Sequence, residues 1–109
     1  MLVVTGSVLV RADSIERALA LSIEHVRRSR AEPGCISHSV HRDAENPLRL
    51  VFVEEWADRG ALEAHFAVPA SREFAKAIGA LAAAPPVLNI YSAEPVRIPF
   101  GAAPRARGE

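Results

Sequence analysis

Along this chain the spacing of apolar residues switches between every second position and every third or fourth, and the order of those switches leaves few folds open. Leu2 to Val10 is rich in Val and Leu with Thr and Ser among them, which favours a strand. Ile15, Leu19, Ser22, Ile23 and Val26 then recur at helical spacing, with Glu16, Arg17, Glu24, Arg27 and Arg28 mostly on other faces. The pattern predicts an amphipathic helix of about four or five turns. Asp13 as its N-cap, with Glu16 three residues on, reads as a capping box. Arg27, Arg28 and Arg30 complement the dipole at its other end, and Pro33-Gly34 closes it. The plain reading of that basic cluster is a solvated helix end rather than an anion site.

From Cys35 to His41 the residues Ile36, His38 and Val40 alternate with Cys35, Ser37, Ser39 and His41, which predicts a second strand with one apolar and one polar face. Asp43 to Pro47 is a turn, and Leu48 to Trp56 is a third strand paired with the second as a hairpin. Asp58 is placed to cap a short helix carrying Leu62, His65 and Phe66, and Pro69 marks a kink or restart before Phe74, Ile78 and Leu81. Pro85-Pro86 stops that stretch, and Val87 to Glu94 is a last strand. The order β-α-β-β-α-β is the split βαβ pattern, so the expected class is α+β, ferredoxin-like, with an antiparallel sheet. One domain is expected over residues 1–98, followed by a flexible tail of Pro, Gly, Ala and Arg over 99–109.

Half of the 109 residues are apolar, enough for one core. Thirteen basic residues balance thirteen acidic ones, so neither nucleic acid nor an anionic membrane is an expected partner. The lone cysteine, Cys35, forms no internal disulfide and fits a reducing, cytoplasmic setting. Leu2 to Val10 makes a poor signal peptide, because no basic residue precedes it and Thr5, Gly6 and Ser7 interrupt it. The third strand carries a further constraint. Leu50, Phe52, Glu54 and Trp56 share one face and Val51, Val53 and Glu55 the other, so both faces need cover. Helices cover one, and a second copy of the sheet is the simplest cover for the other, which makes a homodimer the expectation.

Phosphate loops, nucleophile elbows and paired-cysteine motifs are absent from the sequence, so chemistry rests on scattered polar groups. His38 shares its strand face with Ile36 and Val40, and His65 lies on the stripe of Leu62 and Phe66, so both are placed to meet a pocket. His25 sits among charged neighbours and His41 follows the serine face, and both are expected at the surface. No metal site is expected: His38 and His41 project to opposite faces of a strand, while His25 and His65 belong to different helices.

Taken together, Glu32-Pro33-Gly34-Cys35, then Asn46-Pro47, then Glu54-Glu55-Trp56 followed by Leu62 and His65 resemble the signature of the antibiotic-biosynthesis monooxygenase family. The resemblance runs from Leu2 to about Pro95. It implies a ferredoxin-like monomer, a dimeric α+β barrel, and one cavity per subunit between sheet and helices. It also implies oxygenation of aromatic polyketides or quinols by dioxygen, with no cofactor, whereas relatives degrade haem or isomerise small metabolites. Polyketide-oxidising members place Asn, Tyr and Arg where this chain has Phe52, Leu62 and Lys76. Haem-degrading members carry Asn and a proximal histidine where this chain has Gly6 or Ser7 and the stretch Ala75 to Ala77, which disfavours haem.

The resulting expectation is a cofactor-independent monooxygenase for a small phenolic or quinol-like molecule. An isomerase, or a binding or stress-response module on the same fold, is the alternative. His65 is the expected base, since an ordinary histidine titrates near pH 6.5 and can accept a phenol's proton at neutral pH. Trp56 and Tyr91 are expected to shape the wall, with His38 or Asn89 as a second polar contact. A structural role for His65, hydrogen-bonding a carbonyl at the helix break, is the competing reading.

Overall fold

A computed structural model describes residues 1–100 of the chain. The tail expected over 99–109 falls, apart from its first two residues, outside the described residues. The elements are β1 (Leu2–Leu9), α1 (Ile15–Ser29), β2 (Cys35–Arg42), β3 (Arg49–Trp56), α2 (Arg59–Ala67), α3 (Pro69–Leu81) and β4 (Val87–Ser92). The expected order holds, with Pro69 restarting a helix at its first turn, where a missing N–H costs nothing.

The four strands form one antiparallel sheet in the order β2-β3-β1-β4. Even-numbered residues of β1 and β3 face the helices. Val4, Val8, Leu50, Phe52 and Trp56 are buried there, and α1 supplies Ile15, Ala18 and Val26 while α2 and α3 supply Leu62 and Ile78. α1 lies along α3 and against β2.

Two local expectations fail. The capping box does not form: Ala12–Ser14 make a 3-10 turn, Ser14 becomes the N-cap of α1, and the Ser14 hydroxyl donates to Asp13 instead. The alternation of β2 is also broken. Cys35 pairs with Trp56 but Ser37 pairs with Glu55, so Ile36 is an extra residue and bulges out to 55% exposure. Ile36 therefore does not share a face with His38. The bulge turns both Cys35 and His38 toward the helices, His38 opposite Glu54.

The turn before β2 is fixed by Gly34, whose φ of +83° favours glycine. A Cβ there would also collide with the Cβ of Ala61 on α2. The Gly34 carbonyl accepts the Ala57 N–H at 2.8 Å, and Asp58 caps α2 by accepting the Ala61 N–H at 2.8 Å. This tight crossing of turn and helix brings Glu32 beside His65.

Candidate functional site

Between the helix-facing side of the sheet and α1, α2 and α3 lies a cavity of about 340 Å³. Val8, Phe52, Phe74, Ile78 and Leu88 give it apolar walls, Phe66 and Arg72 stand at its exposed side, and His25, Glu54, His65 and Ser71 are its buried polar groups. A space of that size, mostly apolar with a few convergent polar groups, suits one small ring system.

His65 is held from two sides. Its ring lies against the Trp56 indole with centroids 4.6 Å apart, and its Nδ1 is 2.8 Å from Glu32 Oε1. A carboxylate only accepts, so the network assigns the proton to Nδ1, and a neutral His65 keeps its Nε2 lone pair free. His25 carries the opposite tautomer. Its Nδ1 accepts from Arg28 Nη2 at 2.9 Å, so the ring proton sits on Nε2, and the ring stacks flat on Phe74 at 4.0 Å. Burial is the largest influence on His25, followed by the charges of His38, His65 and Arg28, and together they push its pKa down to about 3. His25 is neutral at physiological pH.

Glu54 is nearly buried at the end of β3. Its Oε1 accepts the Trp56 Nε1 proton at 2.9 Å and lies 3.3 Å from His38 Nε2. Burial pushes the Glu54 carboxyl up, but the close approach and charge of His38, the indole N–H and the charge of His65 outweigh it and hold the carboxyl below its usual range. His38 itself has no solvent-exposed side-chain area, and neither ring nitrogen has a well-directed hydrogen bond. The three imidazoles of His25, His38 and His65 form a triangle with centroids 5.3, 5.4 and 5.6 Å apart.

Of the residues expected at the site, His65 and Phe52 line the cavity. Trp56, Leu62 and His38 are buried behind it; Trp56 backs His65, and Leu62 packs with Val4 and Trp56. Asn89 and Tyr91 are misplaced. Gly6 pairs with Leu88 and Val4 with Ile90, so Leu88 and Ile90 share the helix-facing side while Asn89 and Tyr91 project from the other face, Tyr91 at 52% exposure. Lys76 is exposed and is not part of the wall, because that turn of α3 presents Ala75 and Ile78 inward. His25 is not at the surface as expected but 5% exposed: Glu24 and Arg27 point to solvent, while Arg28, on the same side of the helix, turns in to donate to its ring. The separation of His25 and His65 on different helices is likewise no barrier, because α1 and α2 both bring them over β2.

Glu32, Glu54 and His25 are the polar site residues that sequence reasoning missed as chemistry. Glu32 and Glu54 stand in the Glu-Pro-Gly and Glu-Glu-Trp segments, where they served only as markers of resemblance. The model of a family described as antibiotic biosynthesis monooxygenase matches residues 1–77. The chain belongs to this family. A solved antibiotic biosynthesis monooxygenase is 30% identical, with a TM-score of 0.81 over 87% of this chain and all of the other. Rv0793 from Mycobacterium tuberculosis, 24% identical, superposes with a TM-score of 0.81 over 87% of this chain and 96% of its own, a likeness of fold. Among curated proteins, the uncharacterized sll1783 of Synechocystis is 39% identical over 90 residues, 83% of this chain and 61% of that protein. The chain thus spans about three-fifths of that relative's length. Among the described residues no helix is long and apolar enough to cross a membrane.

Proposed function

We propose that the chain is a monooxygenase that binds a small phenol- or quinol-like aromatic in the cavity, with His65 as the base and dioxygen as the oxidant. The observation that carries this reading is the Glu32–His65 pair, 2.8 Å apart and mostly buried, which leaves Nε2 of a cavity-lining imidazole as a proton acceptor. Apolar walls hold the ring and keep bulk water away, which favours proton transfer to a fixed base.

The chemistry asked of the protein is modest. His65 takes the phenol proton, and the electron-rich anion gives one electron to dioxygen. The resulting radicals combine at a ring carbon bearing hydrogen, forming a carbon-bound peroxide. Loss of water, with His65 returning its proton, leaves a carbonyl. One oxygen atom enters the product and the other leaves as water, and the electrons come from the substrate, so this step draws on no added reductant.

Oxygen uptake over a panel of hydroquinones and anthrones tests the proposal. Uptake should exceed the buffer rate for at least one of them and fall by about 10²-fold or more in His65→Ala, assayed below the melting temperature of that variant so that the loss is read on folded protein. No uptake on any compound, or full turnover in the variant, refutes it. Product formed under strict anaerobiosis would instead mark an isomerase using the same base.

The proposal extends to a homodimer in the cytoplasm. Its support is the side of the sheet turned away from the helices, where Val53, Val87 and Tyr91 are exposed. A second copy of the same face is their natural cover.

A further inference from the structure

We infer that the triangle of His25, His38 and His65 is a binding site for a divalent transition-metal ion of the Zn2+ type. One ring nitrogen from each residue lies within 4.8 Å of the others, and all three side chains are at least nine-tenths buried. Nitrogens around a four-coordinate zinc stand roughly 3.3 Å apart, given Zn–N bonds of about 2.0–2.1 Å. Binding therefore requires the rings to turn inward from their present partners, Arg28 for His25 and Glu32 for His65.

Three further features point to a cation. The Nδ1 of the fully buried His38 has no hydrogen-bond partner and its Nε2 meets only Glu54 Oε1, at 3.3 Å and poorly directed, an arrangement that is costly in a packed interior unless something else uses Nδ1. The Nδ1 of His65 faces the Glu32 carboxylate, the outer partner that a metal-bound imidazole commonly has, and its Nε2 is the free side. The buried Glu54 carboxylate lies 3.3 Å from His38 and Glu32 lies 2.8 Å from His65, so two of the three imidazoles have a carboxylate partner, while the Arg28 and Arg30 guanidinium groups stand at His25 Nδ1 and the His38 carbonyl. Neutral imidazoles with nearby carboxylates select ions such as Zn2+, Co2+, Ni2+ and Cu2+ over Ca2+ or Mg2+. Because His25 and His65 also line the cavity, a three-histidine ion would keep a position open toward it.

One contact opposes binding and supplies a diagnostic. Arg28 donates to Nδ1 of His25, which puts the proton on Nε2. Ligation through Nε2 moves that proton to Nδ1, where it would face the Arg28 donor, so Arg28 must swing away. Removing Arg28 should therefore tighten binding.

A metal ion on Nε2 of His65 would occupy the lone pair proposed as the base, so this site competes with that reading rather than resting on it, and its test reads binding alone. The chelator-treated chain is titrated with Zn2+ by calorimetry and with Co2+ by visible absorption, while zinc-induced 15N shifts of the histidine rings are recorded. One ion per chain is expected, with intense four-coordinate Co2+ bands and large shifts at His25, His38 and His65 but not at exposed His41. His38→Gln should weaken binding at least 100-fold, Arg28→Met should strengthen it at least threefold, and His41→Ala should leave it unchanged. Ring shifts confined to His41, weak six-coordinate Co2+ bands, or affinity unaltered in His38→Gln would each overturn the site. The ring shifts and Co2+ bands are read on the unaltered chain, so they decide the matter even where His38→Gln does not fold.

Discussion

Glu32 and His65 form a pair in which each residue gives the other its purpose. Glu32 holds the ring through Nδ1 so that Nε2 points away from the turn. Glu32→Gln keeps the shape but lets the amide present either a donor or an acceptor to Nδ1, so the tautomer is no longer fixed. Turnover of an accepted aromatic should fall by about 10²-fold or more, as when a base-orienting carboxylate is lost, with substrate KM changed little. Steady-state oxygen uptake measures it, and an equal rise in KM at constant kcat would assign Glu32 to binding instead. His25 makes a different prediction. In the unfolded, metal-free chain it takes up a proton near pH 6.5, whereas the folded chain refuses that proton until about pH 3. The stability this residue contributes is therefore full above about pH 6.5 and declines as pH falls toward 3, at up to about 1.4 kcal/mol per pH unit. Urea midpoints at pH 7, 5.5 and 4 should drop more steeply for the natural chain than for His25→Phe. Parallel curves would show that His25 accepts its proton in the fold.

At the scale of elements, the periods of two and 3.6 residues, with the Pro and Gly that interrupt them, were enough to give the type and order of the strands and helices. The bulge at Ile36 was not legible. An inserted residue leaves the local alternation intact and shows only in the partner strand, where Cys35 and Ser37 face Trp56 and Glu55. The same limit moved Asn89 and Tyr91: alternation says which residues of β4 share a face, and only the pairing of Gly6 with Leu88 says which face is inside. Half of the candidate site was equally hidden. His65 and Phe52 sit on clear apolar stripes, but the charged neighbours of His25 concealed it, and Glu32 meets His65 across 33 residues through a turn. That turn depends on Gly34, where φ is +83° and a Cβ would strike Ala61. Gly34→Ala should destabilise the chain by about 2–4 kcal/mol, combining about 1–2 kcal/mol for a left-handed alanine with the repacking of α2. It should also lower turnover by moving Glu32 off His65. A melting temperature within about one degree of the natural chain would show that the turn yields freely.

The molecule as a whole presents two unlike faces. The helix-facing side of the sheet is covered by the helices around the cavity, with Leu88 and Ile90 of β4 half exposed at its edge, while the other side carries Val53 at 36%, Val87 at 53% and Tyr91 at 52% exposure, flanked by polar residues such as Thr5, Ser37 and Ser39. Three eight-residue strands about 26 Å long and a six-residue strand about 20 Å long, side by side at about 4.8 Å spacing, give a flat footprint of roughly 470 Å². That is less than the roughly 800 Å² per partner of a standard interface. In the proposed dimer the chain that follows β4 would supply the difference, because Val96, Ile98 and Phe100 are 76%, 74% and 87% exposed among the described residues. A face-to-face dimer in which these side chains also lie on the partner accounts for both sets of apolar groups. Sedimentation equilibrium at micromolar concentration should return twice the 11.7 kDa chain mass. Val53→Asp, at the centre of the face, and truncation after Pro95 should each shift the equilibrium toward monomer by at least tenfold, with helical content unchanged. A natural chain that sediments as a monomer would remove the dimer, and a truncated chain as dimeric as the natural one would confine the interface to the sheet.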